Sequence, residues 1–297
     1  MNILPTLLGR AFKTSLVALA LLALAACSSN KMAYRYADWG IVWWVDDFIP
    51  LTGDQRAQLS RDIEEFRQWH CSSELPRYQA WLDSLMLDVS ERDLAYRDVE
   101  LHQQDLFELF PPLLDRVVPI ATRLLSSLSE QQVEELARNL RDNQQEYREK
   151  YLGDSPVRTV EARAERAEKR IERWFGDLND EQKTIVRRWA ENRGRQTEIW
   201  LQGRRNWQEA LLAALDRRND PGFDQEVARL IKQSEQVRGT AYESMMEDGR
   251  SALTALLHEL IEASGPQHLA HLQQQAASLD GDLEALTCTP SSNVASG

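Results

Sequence analysis

The stretch DEQKTIVRRWAENRGRQTEIWLQGRRNWQEALLAALDR, residues 180–217, decides the fold. It contains no proline, and Trp189, Trp200 and Trp207 are spaced by 11 and 7 residues. Both spacings are close to whole numbers of helical turns, so the three indoles fall on one stripe with Ile185 and Leu211. The pattern predicts one long helix from Asp180 to about Arg217. Nine Trp, only 13 Gly and abundant Ala, Leu, Glu, Gln and Arg extend that reading to an all-α bundle of long antiparallel helices.

Working outward, residues 156–286 continue in helical periods. Gly153-Asp154-Ser155-Pro156 is the clearest break in the chain, with Ser155 as N-cap and Pro156 at the first helical position. Helices are expected over 157–175, 223–263 and 266–279, with a turn at Asp220-Pro221-Gly222 and a disordered tail over 287–297. On the N-terminal side, helices are expected over 34–48, through Leu59, Ile63, Phe66 and His70, past Pro76 to Leu85, over 90–110, and over 129–152. Leu113 to Leu128 carries apolar residues over so wide an arc that it predicts a central buried helix, kinked at Pro119. Residues 34–286 thus form one helical domain, with possible sub-bundles 34–152 and 156–286.

The N-terminus has a different character. Arg10 and Lys13 precede an apolar run ending at Leu24-Ala25-Ala26-Cys27, which is a basic region, a short apolar region and a small-residue cleavage site. The run is shorter than the roughly 20 residues a spanning helix needs. Residues 1–26 are expected to be a cleaved signal peptide. The cysteine at the cleavage position resembles a lipobox, so Cys27 is the expected lipidation site and 27–33 a tether. Several acyl chains anchor stably where one would be marginal. Ser28-Ser29 stands where inner-membrane lipoproteins typically carry Asp, which by resemblance favours the periplasmic face of the outer membrane.

Composition narrows the partners. Loss of Arg10 and Lys13 leaves 33 basic against 47 acidic side chains, a net charge near −14, which argues against nucleic acid. With Cys27 lipidated, Cys71 and Cys288 remain in an oxidising compartment. A disulfide between them and a pair of free thiols are both open, since sequence cannot place two Cα atoms within bonding range.

Leu51-Thr52-Gly53-Asp54-Gln55, Leu128-Ser129-Glu130-Gln131-Gln132 and Leu178-Asn179-Asp180-Glu181-Gln182 form a recurring motif. Its unequal period argues against a solenoid. Each copy reads instead as a helix start: a capping Thr, Ser or Asn, a Gln three residues on reaching back, and a Leu before the cap.

The aromatic opening Tyr36-Ala37-Asp38-Trp39 through Trp44-Val45-Asp46-Asp47-Phe48, then Leu51-Thr52 and Gln55, Trp69-His70 and Glu74-Leu75-Pro76-Arg77-Tyr78, resembles a lipoprotein family of unknown function, domain of unknown function 6279. The resemblance implies a helical periplasmic protein and carries over no catalytic residue. The Leu-Thr-x-x-Gln repeats are also weakly similar to those of the much smaller Spy-type periplasmic chaperones.

Candidate sites are few. Trp39, Trp43 and Trp44, a few residues past the lipid, either pack into the bundle or rest at the headgroup level; Asp38, Asp46 and Asp47 would be repelled from an anionic surface. Residues 158–218 carry 15 basic and 11 acidic side chains. That excess is either a solvated, salt-bridged face or an anion or partner surface using Arg187, Arg188, Arg193, Arg195, Arg204 and Arg205. Gly153-Asp154-Ser155 is similar to an esterase nucleophile block but lacks the preceding strand and is followed at once by Pro156, which favours a cap. His258, Glu259, Glu262, His268 and His271 are the only cluster with metal-ligand character, and Gly265-Pro266 divides it, so no metal site and no cofactor are expected. The expectation is a non-enzymatic, lipid-anchored scaffold or interaction protein of the envelope with a protein partner. A periplasmic holdase is the alternative, and an envelope hydrolase a weaker one.

Overall fold

The computed structural model describes residues 34–91 and 94–288; the expected signal peptide, Cys27, the tether and most of the tail lie outside them. The described residues are helical throughout and contain no strand. The helices are α1 (Ala37–Phe48), α2 (Gly53–Trp69), α3 (Leu75–Glu91), α4 (Tyr96–Phe107), α5 (Pro111–Ser126), α6 (Glu130–Tyr151), α7 (Pro156–Phe175), α8 (Asp180–Asn192), α9 (Gln196–Leu215), α10 (Phe223–Lys232), α11 (Ser234–Arg238), α12 (Thr240–Glu262) and α13 (Pro266–Leu286).

Between α2 and α3 the backbone widens into a π-turn, His70–Glu74, in which the Leu75 N–H reaches back five residues to the His70 carbonyl. Pro76 explains it: the residue lacks an N–H, and its ring would crowd the Ser72 carbonyl four residues earlier in a regular helix.

The three repeated motifs are capping boxes. Thr52 Oγ1 accepts from the Gln55 N–H at 3.2 Å while Gln55 Oε1 accepts from the Thr52 N–H at 2.9 Å, and Ser129–Gln132 and Asn179–Gln182 do the same. The leucines before them, Leu51, Leu128 and Leu178, are buried. Each Gln also works between helices. Gln132 Nε2 donates to Gln55 Oε1 at 2.7 Å and to the Pro50 carbonyl at 2.9 Å, locking the starts of α2 and α6 together. Gln182 Nε2 donates to Ser264 Oγ at 3.1 Å, so the third box closes the end of α12.

The expected helix over 180–217 is two helices, broken at Arg193-Gly194-Arg195, where Gly194 takes φ +47°. The break has a partner that is far away in sequence. Arg163 of α7, 7% exposed, donates to the Ala190 carbonyl at 2.8 Å, the Gly194 carbonyl at 3.1 Å and Thr197 Oγ1 at 3.0 Å. A buried cation thus satisfies carbonyls that the end of α8 leaves free. Because the axis breaks, Trp189 leaves the tryptophan stripe, while Trp200 and Trp207 stay on α9 and meet different neighbours along it. Trp189 packs on the cluster around Val186 and Leu260, Trp200 meets Tyr147 at a tilt and Tyr151 edge-on, and Trp207 donates to the Leu230 carbonyl at 2.8 Å.

Other boundaries shift as well. The helix expected over 90–110 begins at Tyr96, and that over 223–263 divides into α10, α11 and α12, with Gly239 at φ +103° before α12. The helix expected to be central and buried, α5, has no buried residue. It lies at the surface against α10 and α2, so its wide apolar arc is only half covered.

Three apolar clusters make the core. One joins Ile49, Leu59 and Ile63 with Leu136, Leu215 and Val227; a second holds Phe175, Val186 and Leu260; a third gathers Val89, Leu94 and Val99 with Leu257, Leu269 and Leu272. The first and third draw on both sides of the break at 153–155. The C-terminal helix α13 packs on α3 and α7, and Cys288 beyond it is disulfide-bonded to buried Cys71 with their Cα atoms 5.2 Å apart.

Candidate functional site

The site is built around α1, a helix that buries no residue. Its outer side carries Tyr36, Trp39 and Trp43 at helical spacing, exposed by 58%, 69% and 58%. Its inner side lays Val42, Val45 and Phe48 on the first core cluster, and Trp44, also largely exposed, leans on Phe48 with ring centroids 5.3 Å apart.

The C-terminal end of α1 is fixed by polar contacts. Asn139 of α6 donates to the Phe48 carbonyl at 2.9 Å. Asp46 accepts from the Leu51 N–H at 2.9 Å and from Arg56 Nη2 at 2.8 Å, and these two donors, the Leu51 amide foremost, hold its carboxyl below the usual carboxylate range.

Beneath α1 lies a cavity of about 460 Å³ walled by α1, α5, α6, α9 and α10. Its walls are apolar, including Phe48, Leu124, Leu140, Leu211 and Leu230, and Arg204 and Arg238 stand at its edge. Arg204 lies over the Tyr147 ring at 4.1 Å and donates to Asn143 Oδ1 at 2.8 Å; Arg238 lies over the Tyr242 ring at 5.1 Å. Among the described residues neither guanidinium has a carboxylate partner. Burial lowers the pKa of Arg204, and Arg238 nearby lowers it further, since two close cations disfavour each other.

A second polar constellation sits at the π-turn. Tyr34 Oη is 2.9 Å from His70 Nδ1, and His70 Nε2 is 3.2 Å from Tyr78 Oη. Burial pushes the Tyr34 hydroxyl up to about 12 and lowers His70, with nearby Glu74 acting the other way on the imidazole.

The six arginines considered as one surface are distributed among separate neighbourhoods. Arg187 lines a cleft with Glu161, Glu165, Glu168 and Glu191, and Arg188 pairs with Glu259 at 2.5 Å. Arg193 donates to the Asp248 carbonyl at 3.3 Å, and Arg195 and Arg205 line another cleft that Arg238 shares. Only Arg204 faces the cavity under α1.

The histidine cluster is also dispersed. His268 is buried, accepting from the Gly265 N–H at Nδ1 and meeting the Asp177 carbonyl at Nε2; His271 meets the Arg173 carbonyl, while His258 lies 3.8 Å from Glu262. Among the described residues no group of three or more His, Cys, Asp or Glu is placed to hold a metal ion. Ser155 accepts from the Arg158 N–H as the N-cap of α7.

Sequence reasoning passed over Arg163, Arg218 and Arg238, because nothing local distinguishes a buried arginine from a solvated one. Arg218 donates to the Leu128 carbonyl at 2.7 Å and to Glu130 at 2.6 Å, joining the end of α9 to the start of α6.

No helix among the described residues is long and apolar enough to cross a membrane. Among curated proteins and among solved structures none matches the chain. A family model matches residues 47–243, from the end of α1 into α12 and well over half of the chain, and on that match the protein belongs to DUF6279, a family of unknown function.

Proposed function

We propose that the chain is a non-enzymatic interaction protein of the bacterial envelope, anchored by lipid on Cys27 to the periplasmic face of the outer membrane, with α1 resting among the lipid headgroups and other helix faces left free for an envelope protein partner. The exposure of Tyr36, Trp39 and Trp43 on a helix that starts ten residues after Cys27 carries this reading. Indole and phenol rings are amphipathic and favour the membrane–water boundary, and a short tether keeps them within reach of it. Asp38 and Asp47 oppose an anionic surface, which suits a zwitterionic leaflet better.

The test is in two parts. Radiolabelled palmitate should mark the protein and leave a Cys27→Ala variant unmarked; equal marking or equal fractionation removes the anchor. In vesicles containing brominated phospholipid, tryptophan emission of the reconstituted lipoprotein should be quenched, and Trp39→Phe with Trp43→Phe should relieve most of the quenching. No relief removes the headgroup contact. Proximity crosslinking in cells should then recover one discrete envelope partner.

Leu101, Phe107, Phe110 and Val117, all exposed on α4, α5 and the turn between them, favour a second reading as a holdase. Light scattering of an aggregating client distinguishes it: no suppression at a stoichiometric ratio discards it.

A further inference from the structure

The cavity under α1 combines a mostly apolar lining with two cations. Its walls are mostly apolar side chains from five helices, with Asn143 and Gln208 among them, and its volume of about 460 Å³ lies within the roughly 300–1,000 Å³ of small-molecule sites. At its edge stand Arg204 and Arg238, half-buried and without a carboxylate partner among the described residues. Arg56, Arg67, Arg188, Arg218 and Arg229 pair with carboxylates, whereas Arg204 and Arg238, like buried Arg163, are met by neutral groups. Two neighbouring arginines lining an apolar hollow, with N–H groups remaining beyond the bonds of Arg204 to Asn143 and Gln144, complement a ligand with a hydrocarbon body and an anionic end.

We propose that this cavity binds a free long-chain carboxylate, its acyl chain laid between α5, α6 and α10 under α1 and its head held by Arg204 and Arg238. The chain's own lipid on Cys27 is the poorer occupant, because thioether-linked diacylglycerol and an amide-linked acyl group carry no negative charge for the two arginines. A phospholipid brings a second chain that the cavity would leave outside. The site would take its ligand whether or not Cys27 is acylated, so it stands apart from the anchor reading.

The probe is a long-chain fatty acid bearing a diazirine in its tail and an alkyne for recovery, photolysed with membranes that contain the full-length protein. Mass spectrometry then locates the label. Crosslinks are expected on α5, α6 and α10, at Leu124, Leu140 and Leu230, and unlabelled fatty acid should compete for them. Arg204→Gln combined with Arg238→Gln should raise the half-maximal probe concentration by about a hundredfold or more, the loss expected for two charge-assisted hydrogen bonds. The matching diazirine alcohol should label weakly and be indifferent to that double variant. Leu140→Trp, which fills the hollow and leaves both arginines in place, should abolish labelling, with circular dichroism checking that the helices persist.

Several outcomes overturn the proposal. Label confined to Trp39 and Trp43 would mean membrane contact alone, which would leave the reading of α1 intact. Equal labelling by the acid and the alcohol, or no change in either variant, would remove the anionic site. Labelling that appears only in Cys27→Ala would show that the protein's own lipid fills the hollow.

Discussion

Arg163→Met tests whether a long-range contact breaks the helix at 193–195 or merely accompanies the break. Arg163 donates three hydrogen bonds, to the carbonyls of Ala190 and Gly194 and to Thr197 Oγ1, all within 3.1 Å. Methionine fills similar space and donates nothing. Gly194 is exposed, so water can replace its partner, and the Thr197 hydroxyl can turn to another acceptor; the Ala190 carbonyl belongs to a fully buried residue and is left unpaired. An unsatisfied buried acceptor costs about 1–3 kcal/mol, and a lost charge-assisted bond about 1.5–3 kcal/mol, so the total should be about 4 kcal/mol. For a chain of this length that is about 10 °C in Tm. Arg163→Lys, which keeps the charge and reaches fewer acceptors, should fall between the two. Urea unfolding followed by circular dichroism measures both, with the midpoint shifting and the slope unchanged if the native helices persist. A loss below about 1 kcal/mol, the scale of one ordinary hydrogen bond, would refute the reasoning and leave Gly194 as sufficient cause of the break.

Four further perturbations act on the disulfide, on the cap of α6 and on the His70 imidazole. Removing the Cys71–Cys288 bond frees a 217-residue separation; chain entropy sets an upper value of about 5 kcal/mol, so a loss of about 2–4 kcal/mol is expected in Cys71→Ser with Cys288→Ser, checked by urea midpoints against the oxidised wild type. Ser129→Ala should cost about 1 kcal/mol as a lost N-cap, and Gln132→Leu about 2–3 kcal/mol because its bonds to Gln55 and the Pro50 carbonyl go too. The His70 imidazole is held below its ordinary pKa, so below about pH 6.5 the unfolded chain binds the proton more readily than the folded one. Its contribution is therefore complete above that pH and is lost as the pH falls toward and through the folded pKa. The urea midpoint should drop between pH 7.5 and 5.5, and His70→Gln should flatten that drop.

What could be read from the chain and what could not divides along the range of the interaction. The three Leu-x-x-x-Gln starts were legible because a capping box is closed by residues three apart, and the same holds for Ser155-Pro156 at α7 and for the all-α class. The break in 180–217 was not: Gly194 alone is tolerated inside a helix at a cost of about 1 kcal/mol, and the deciding partner, Arg163, sits on a different helix. Periodicity placed Trp189, Trp200 and Trp207 on one stripe by assuming a single straight axis; the break at 193–195 takes Trp189 off it and leaves Trp200 and Trp207 together on α9. The Gln55–Gln132 pair was invisible for the same reason, since nothing local says that two separate helix starts meet.

The exposed apolar arc of α5 has the most bearing on the site. An apolar arc records which side of a helix water would avoid, and says nothing of whether another element covers it. Residues 113–128 carry an arc fit for a central helix, yet α5 lies outside with no residue buried, and α1, which is rich in aromatic side chains, likewise buries none. Both helices roof the same cavity. The apolar surplus that suggested a deep core is therefore concentrated in the two elements that enclose a hollow and face outward around it. A domain stabilised only by its own packing would gain from turning those side chains inward; leaving them exposed costs roughly 25 cal/mol for every Å² of apolar surface kept in water. That cost is offset if something apolar meets the surface, and a lipid boundary outside with an acyl chain inside would cover both faces of α1 at once.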